Sequence, residues 1–255
     1  MKFLIQKIDG EVRHDFSFTL LESIRFKNWL LHNKADKINV KYINTKADIE
    51  IVDPNIFKSM HSTYVPIGSV EFVNAFLKRF YDLTLKPINV PVELFSYAKR
   101  DIFNGNQTSL ENFGGKYFVK SNDKIKSFAE IIECRTDSVE TTYSTPIPVG
   151  NYQFSQYINI DSEWRAFVYN KKLVGLQNYC GEFTKFPSVS KIKEMIDAYV
   201  SAPIAYTLDI GINDFGTFPI ECHNMVSVGL YNFNDLNILT NMFYSAFKEL
   251  ISNKK

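Results

Sequence analysis

The sequence predicts an α+β protein in which an N-terminal α/β unit precedes a larger, mainly antiparallel region. Three observations carry this. Strand-like and helix-like segments alternate through the first part of the chain, a series of short strand-like runs fills the middle, and helical spacing returns twice towards the C-terminus. At 255 residues and 29.5 kDa the chain can bury one large core or two closely packed ones. Hydrophobic residues make up 45% and aromatics 15%, a composition that pays the entropy of ordering and so excludes global disorder.

The first strand is expected at Phe3 to Ile8, a short apolar run ending at Asp9-Gly10, followed by a helix over Ser23 to Leu31. Ile38 to Ile43 reads as a second strand and Asp48 to Val52 as a third. Pro66 and Gly68 break the chain before Val70, Val73, Phe76, Leu77 and Phe80, whose spacing paints one face of a helix. Pro87 and Pro91 mark a passage into a second unit, giving an N-terminal domain over 1–90 and a second over 91–255.

In the second unit KYFVK is a strand ending at Lys120, and further strands are expected at Ser138 to Tyr143, Tyr152 to Ile158, Trp164 to Tyr169 and Lys172 to Leu176. Asn170-Lys171 joins the last two as a tight hairpin. Ser188 or Ser190 caps a helix with Ile192, Met195, Ile196 and Tyr199 facing inward, and Pro203 stops it. AYTLDIG and TFPIE then form a hairpin around INDFG, and a final helix presents Leu236, Leu239, Phe243, Phe247 and Leu250 to that sheet.

Charge and cysteine content exclude several classes. The 29 Lys plus Arg nearly cancel 28 Asp plus Glu, so no broad field favours a nucleic acid or an anionic membrane as partner. Cys134, Cys180 and Cys222 are odd in number with no CxxC pairing, which argues against a disulfide framework and a thiolate zinc site. With no segment of membrane-spanning length and no signal-like start, a soluble cytoplasmic protein is expected. Neither a Walker P-loop, a GxGxxG fingerprint nor a GxSxG elbow is present.

The informative geometry is the hairpin around Asp214 to Gly216. Its antiparallel register sets Asp209 almost opposite Glu221, so both carboxylates leave one face of the sheet. Like charges so placed repel unless a cation or proton intervenes, and a magnesium ion offers the match with oxygen ligands. Asn224, three residues on, can add a neutral oxygen; the alternative is a solvated hairpin with ordinary surface acids. Lys120 at a strand end can meet a phosphate or merely solvate the surface, and Arg165, inside EWRAFVY, can serve a triphosphate or pair with Glu163 or Glu221. His61 and His223 read as core or hydrogen-bonded histidines, and Cys222 as a buried small hydrophobe.

FVKSNDKIKSF at 118 to 128, FSQYINIDSEWRAFVYNKKLVGLQNYCG at 154 to 181 and AYTLDIGINDFGTFPIECHNMVSVGLY at 205 to 231 together resemble the ATP-grasp superfamily, most like its R2K group of predicted ligases. YVPIGSVEFV at 64 to 73 and KPINVPVEL at 86 to 94 resemble the region preceding the grasp fold in that group. The resemblance implies an ATP-grasp fold behind an N-terminal pre-grasp domain, with ATP and Mg2+ as cofactors. It also implies a ligase that activates a carboxylate as an acyl phosphate before an amine or thiol attacks, releasing ADP and phosphate.

By the same resemblance Lys120 contacts phosphates, with Lys126 as a second lysine. Gln156, Tyr157 and Ile158 form the hinge that meets adenine, partly through backbone groups. Glu163 orients Arg165 or reaches the ribose side, Arg165 approaches the phosphates, and Asp209, Glu221 and Asn224 hold magnesium. No long glycine-rich flap is evident between Lys120 and Gln156, a departure from the pattern. The acceptor is a small molecule or peptide bearing a carboxylate. A small-molecule kinase and a non-catalytic nucleotide-sensing or protein-interaction module are the competing functions.

Overall fold

The computed structural model describes residues 1–47, 51–110, 113–136 and 141–252. The first unit begins with β1 (Lys2–Ile8), α1 (Asp15–Leu30) and β2 (Asn39–Thr45), continues through β3 (Val65–Ile67) and closes on α2 (Val70–Tyr81). Both β2 and β3 run parallel to β1, which is therefore central, and Phe3, Leu4 and Ile5 in it are fully buried. Helix α1 starts eight residues before the expected position: the apolar face that anchors its first turns is Phe16 and Leu20, spaced by one turn. The strand expected at Asp48 to Val52 falls partly outside the described residues, and the third strand of the sheet is β3, where Pro66 had suggested only a break. An edge position tolerates that proline because its missing N–H faces away from the ladder.

Ser69 caps α2 by accepting a hydrogen bond from the Phe72 N–H at 3.2 Å, an arrangement that contributes about 1 kcal/mol. The face of α2 predicted from spacing is the one that packs, with Val70, Val73, Phe76 and Leu77 buried.

Two further sheets follow. One has the order β4-β8-β5-β6-β7, built from β4 (Ile102–Asn106), β5 (Gly115–Ser121), β6 (Ala129–Thr136), β7 (Thr141–Tyr143) and β8 (Asn151–Gln156). Of the strand expected at Ser138 to Tyr143, the part before Thr141 lies outside the described residues. Strands β4 and β6 escaped the sequence reading; β6 interrupts its apolar residues with Glu130, Glu133 and Arg135, so its alternation is easily mistaken for a polar loop.

The other sheet has the order β10-β9-β11-β12, formed by β9 (Ser162–Tyr169), β10 (Lys172–Gly181), β11 (Ala205–Asn213) and β12 (Gly216–Asn224). Asn170 and Lys171 both take positive φ, 50° and 59°, as the expected two-residue hairpin between β9 and β10 requires. Gly211 is held free of a side chain for another reason: a Cβ there would stand 2.4 Å from the ring of Phe218, its partner on β12.

Helix α3 (Val189–Ala198), capped by Ser188, buries Ile192, Met195 and Ile196 against one face of this sheet, with Trp164, Ala166, Leu208, Ile210 and Cys222. The opposite face carries Phe167 and Ala205 into a core shared with the N-terminal unit and with α4 (Leu239–Ser252). Helix α4 thus does more than cover its own sheet. Phe247 contacts Phe76 at 6.2 Å between ring centroids, and the Ser23 and Thr240 hydroxyls lie 2.5 Å apart. Leu236, expected within this helix, precedes it. Among the described residues no helix is long and apolar enough to cross a membrane.

Candidate functional site

The alternation of β9, β11 and β12 decides which side chains can meet. Arg165, Phe167, Thr207 and Asp209 share one face, while Trp164, Ala166, Leu208 and Ile210 pack on the α3 side. Asp209 pairs across to both Arg165 and Glu221. The register that brings Glu221 there depends on an irregularity the sequence did not announce. From the Asp214-Phe215 turn the ladder runs regularly through Ile210 opposite Pro219, and then shifts by one residue at Ile220. Without that bulge Glu221 would stand opposite Leu208 and point into the α3 core.

After the bulge Glu221 and His223 lie on the site face, whereas Cys222 and Asn224 fall on the other. Cys222 is 1% exposed within the α3 core, and Asn224 donates its amide to the Lys86 carbonyl at 3.3 Å. Asn224 is therefore out of phase with the two acids. The third donor beside them is His223, with Nε2 2.9 Å from Glu221 Oε1 and 3.3 Å from Asp209 Oδ2. Ligand atoms of Asp209, Glu221 and His223 all lie within 4.8 Å of one another. Two residues past Glu221 on a strand is the same face, and this is what brings His223 to the acids.

Two cations balance the acids. Arg165 donates from Nε to Asp209 Oδ1 and from Nη2 to Asp209 Oδ2, both at 2.7 Å, and from Nη1 to the Gly229 carbonyl at 3.0 Å. Its partner is thus neither Glu163 nor Glu221. The guanidinium also lies 5.6 Å from the Tyr179 ring and 4.9 Å from that of Tyr231. Lys120 forms an ion pair with Glu221.

Burial opposes charge throughout this cluster, and the partners decide the outcome. Burial alone would push the Asp209 carboxyl up, but the Arg165 hydrogen bonds and His223 hold it below its ordinary value. Burial would lower the Arg165 value, and Asp209 more than compensates. Burial pushes His223 down, despite Asp209, and pulls Lys120 down to about 8, where Asp209 raises it and Arg165 lowers it.

Lys120 stands where two chambers meet. The first, about 300 Å³, has Phe118, Ile158 and Ile220 in its walls and reaches Gln156, Tyr157 and Glu163. The second, about 340 Å³, is ringed by Lys86, Lys120, Lys124, Lys126 and Arg165. The expected hinge residues therefore line the apolar chamber, and the expected phosphate cations line the other. The backbone N–H groups of Gln156 and Tyr157 already donate to the carbonyls of Asp101 and Lys116, each at 2.8 Å. Glu163 lies in the apolar chamber beside Tyr179, away from any pairing with Arg165.

Besides the Lys120–Glu221 ion pair, Asn89 and Arg100 stitch together the sheets that form these walls. The Asn89 carbonyl accepts from Cys222 N at 2.7 Å, and its side-chain amide donates to the Ser121 carbonyl at 3.1 Å. Arg100 donates to Ser155 Oγ at 2.6 Å and to the Pro219 carbonyl at 3.0 Å. Each therefore links the β5–β8 layer to β12.

Clustered cations and acids thus lie at the junction of the two chambers. The model of the ATP-grasp domain, R2K clade family 2, matches residues 97–241. The chain belongs to this ATP-grasp family. No curated protein matches the sequence.

The ATP-grasp fold is similar to that of N5-carboxyaminoimidazole synthetase from Staphylococcus aureus, with TM-score 0.54 and 11% identity over 97% of this chain and 78% of that one. It is similar to D-alanine–D-alanine ligase from Bacillus anthracis complexed with ATP, with TM-score 0.50 and 9% identity over 100% of both chains. A RimK domain ATP-grasp protein from Sphaerobacter thermophilus gives 0.50 and 9%, over 99% of this chain and 100% of that one. At such identities the likeness is one of fold.

Proposed function

We propose that this ATP-grasp protein is an ATP-dependent ligase that joins a carboxylate to an amine or thiol through an acyl phosphate. The observation that carries the reading is the position of Lys120, at the junction of an apolar chamber and a cationic one and in contact with Glu221. Adenine occupies the apolar chamber, contacting Ile158, Ile220 and the carbonyl side of the Gln156–Tyr157 hinge, whose N–H groups are already engaged. The phosphates then pass Lys120 into the second chamber, towards Arg165 and the Lys124–Lys126 loop.

The residues present fit a divalent cation. Two carboxylates and an imidazole converge; Glu221 Oε2 meets only the Lys120 charge, and His223 Nε2, beside Glu221 Oε1, has no hydrogen-bond partner of good geometry. In this reading Asp209, Glu221 and His223 hold the ion, and Asn224 does not. The bound ion supplies charge neutralisation for phosphoryl transfer.

Arg165 has spent three of its five N–H donors on Asp209 and Gly229, leaving two for an incoming phosphoryl oxygen. Lys120 presents a point charge to the transferring group, which stabilises charge developing in the transition state. No protein nucleophile is required. The division near residue 90 belongs to the same proposal, with α4 added to the N-terminal unit because it completes that core. The acceptor is a small molecule or peptide carrying a carboxylate.

The test is ADP release by purified protein given ATP, a divalent ion and a panel of carboxylates with amines or thiols. Loss of release in Asp209→Asn and Glu221→Gln supports the site; unchanged turnover in both sinks it.

A further inference from the structure

We propose that His223 makes the Asp209–Glu221 site selective for a first-row transition dication, of the Mn2+ or Co2+ kind, over Mg2+. The inference rests on reading these residues as the metal–nucleotide centre and concerns which ion that centre takes.

Geometry supports the imidazole as a direct ligand. An octahedral ion with bonds of about 2.1 Å brings neighbouring donor atoms to about 3.0 Å from one another. His223 Nε2 lies 2.9 Å from an oxygen of Glu221 and 3.3 Å from an oxygen of Asp209, so it already occupies a position adjacent to two oxygens on different acids. Its backbone is fixed in β12 opposite Thr207, one strand step from Glu221 on the same face. The ring is not a mobile surface arm, since its side chain is 31% exposed and faces acids exposed 2% and 23%.

Chemistry supplies the selectivity. Mg2+ prefers oxygen donors and retains waters, whereas imidazole nitrogen favours the later divalent ions of the first transition row. Among the described His, Cys, Asp and Glu side chains, Asp209, Glu221 and His223 are the set that converges. In the β12 register Asn224, whose amide oxygen would suit Mg2+, is out of phase with the acids, as is Cys222, whose thiolate would have favoured softer ions and which is buried in the α3 core. The set that remains is two carboxylates and one nitrogen.

The experiment uses the full chain without nucleotide. Mn2+ binding is followed by loss of the free-ion paramagnetic resonance signal, with Mg2+ as competitor, in the wild type and in His223→Asn. The ratio of Mn2+ to Mg2+ affinity is expected to fall about tenfold or more in the variant. A second measurement needs no variant. Of the four histidines in 15N-labelled wild type, the imidazole of His223 should broaden first as substoichiometric Mn2+ is added.

An affinity ratio unchanged in a folded His223→Asn, or broadening of His223 no earlier than that of His14, His32 or His61, overturns the inference. The ligase reading fails separately. Mg2+-supported ADP release with an unchanged ratio removes only the ion preference, while selective Mn2+ binding at His223 without ADP release removes only the ligase.

Discussion

Arg165 grips Asp209 with two parallel hydrogen bonds of 2.7 Å between adjacent strands, and the two side chains are 7% and 2% exposed. A bidentate pair so deep in the sheet is geometrically specific, but both ions have lost most of their hydration. The pair consequently holds Asp209 charged and oriented at the site. Arg165→Met should destabilise the protein by about 3–5 kcal/mol because it strands a buried carboxylate. Arg165→Met with Asp209→Leu should recover at least half of that loss. Urea unfolding of the three proteins measures both, and a double variant no more stable than the single one contradicts this account.

Lys120 bears on binding more than on stability. Its ion pair with Glu221 is partly open to solvent, both side chains being 23% exposed. Lys120→Met should therefore change the thermal midpoint little. It should weaken ATP binding roughly tenfold to a hundredfold, the equivalent of one lost hydrogen bond to a charged group. Calorimetric titration with ATP and a divalent ion checks this, and unaltered affinity would exclude Lys120 from the phosphate path.

Ile220 sits at the bulge in β12 and lines the apolar chamber. Ile220→Trp adds bulk to a space of about 300 Å³ while leaving the acids themselves unsubstituted. We expect ATP binding to be abolished while Mn2+ binding in the absence of nucleotide survives. Loss of both in a folded variant would show that the chamber and the ion site cannot be separated.

Much of this was legible in the sequence because regular elements repeat their signals. The spacing of Val70, Val73, Phe76 and Leu77 identified α2, and the expected pairing of Asp209 with Glu221 is found, though it is reached through the bulge and not by unbroken alternation. What escaped depended on single-residue irregularities or distant partners. The bulge at Ile220 carries no compositional mark beyond the edge-strand Pro219 beside it. Asn224 was favoured for its chemistry, and the strand parity that sets His223 rather than Asn224 on the face of the two acids shows only when β12 is seen to continue regularly past Glu221. Arg165 meets Asp209 through a pairing between strands separated by β10 and α3 in the chain, which no local pattern encodes.

His14 introduces a pH dependence outside the acid cluster. It precedes α1, stacks on Phe16 at 4.9 Å, and its Nε2 is buried without a hydrogen-bond partner. Burial is the main cause holding its imidazole below the ordinary value, with Lys126 adding to the effect and Asp15 and Glu71 opposing it. The unfolded chain thus takes up this proton first as pH falls. The stabilising contribution is complete above the unfolded value near 6.5 and is lost as pH falls towards the folded one. His14→Gln should lose less stability between pH 7.5 and 5.5 than the wild type, as chemical unfolding at the two pH values, both about one unit from the unfolded value, would show. An equal loss in the two proteins would assign the dependence to other groups.

Helix α4 has a consequence for how the polypeptide acquires its structure during synthesis. Phe243 and Phe247 enter the core begun by Phe3, Phe16 and Phe76, and Lys27 reaches Asn241 at 2.8 Å. A ribosome therefore releases the parallel β1–β3 layer long before the helix that seals it, and the apolar surface meant for α4 must wait, uncovered, through the translation of both antiparallel sheets. Chaperone dependence should accordingly be concentrated in nascent chains that carry the first unit but have not yet emerged as far as Phe247.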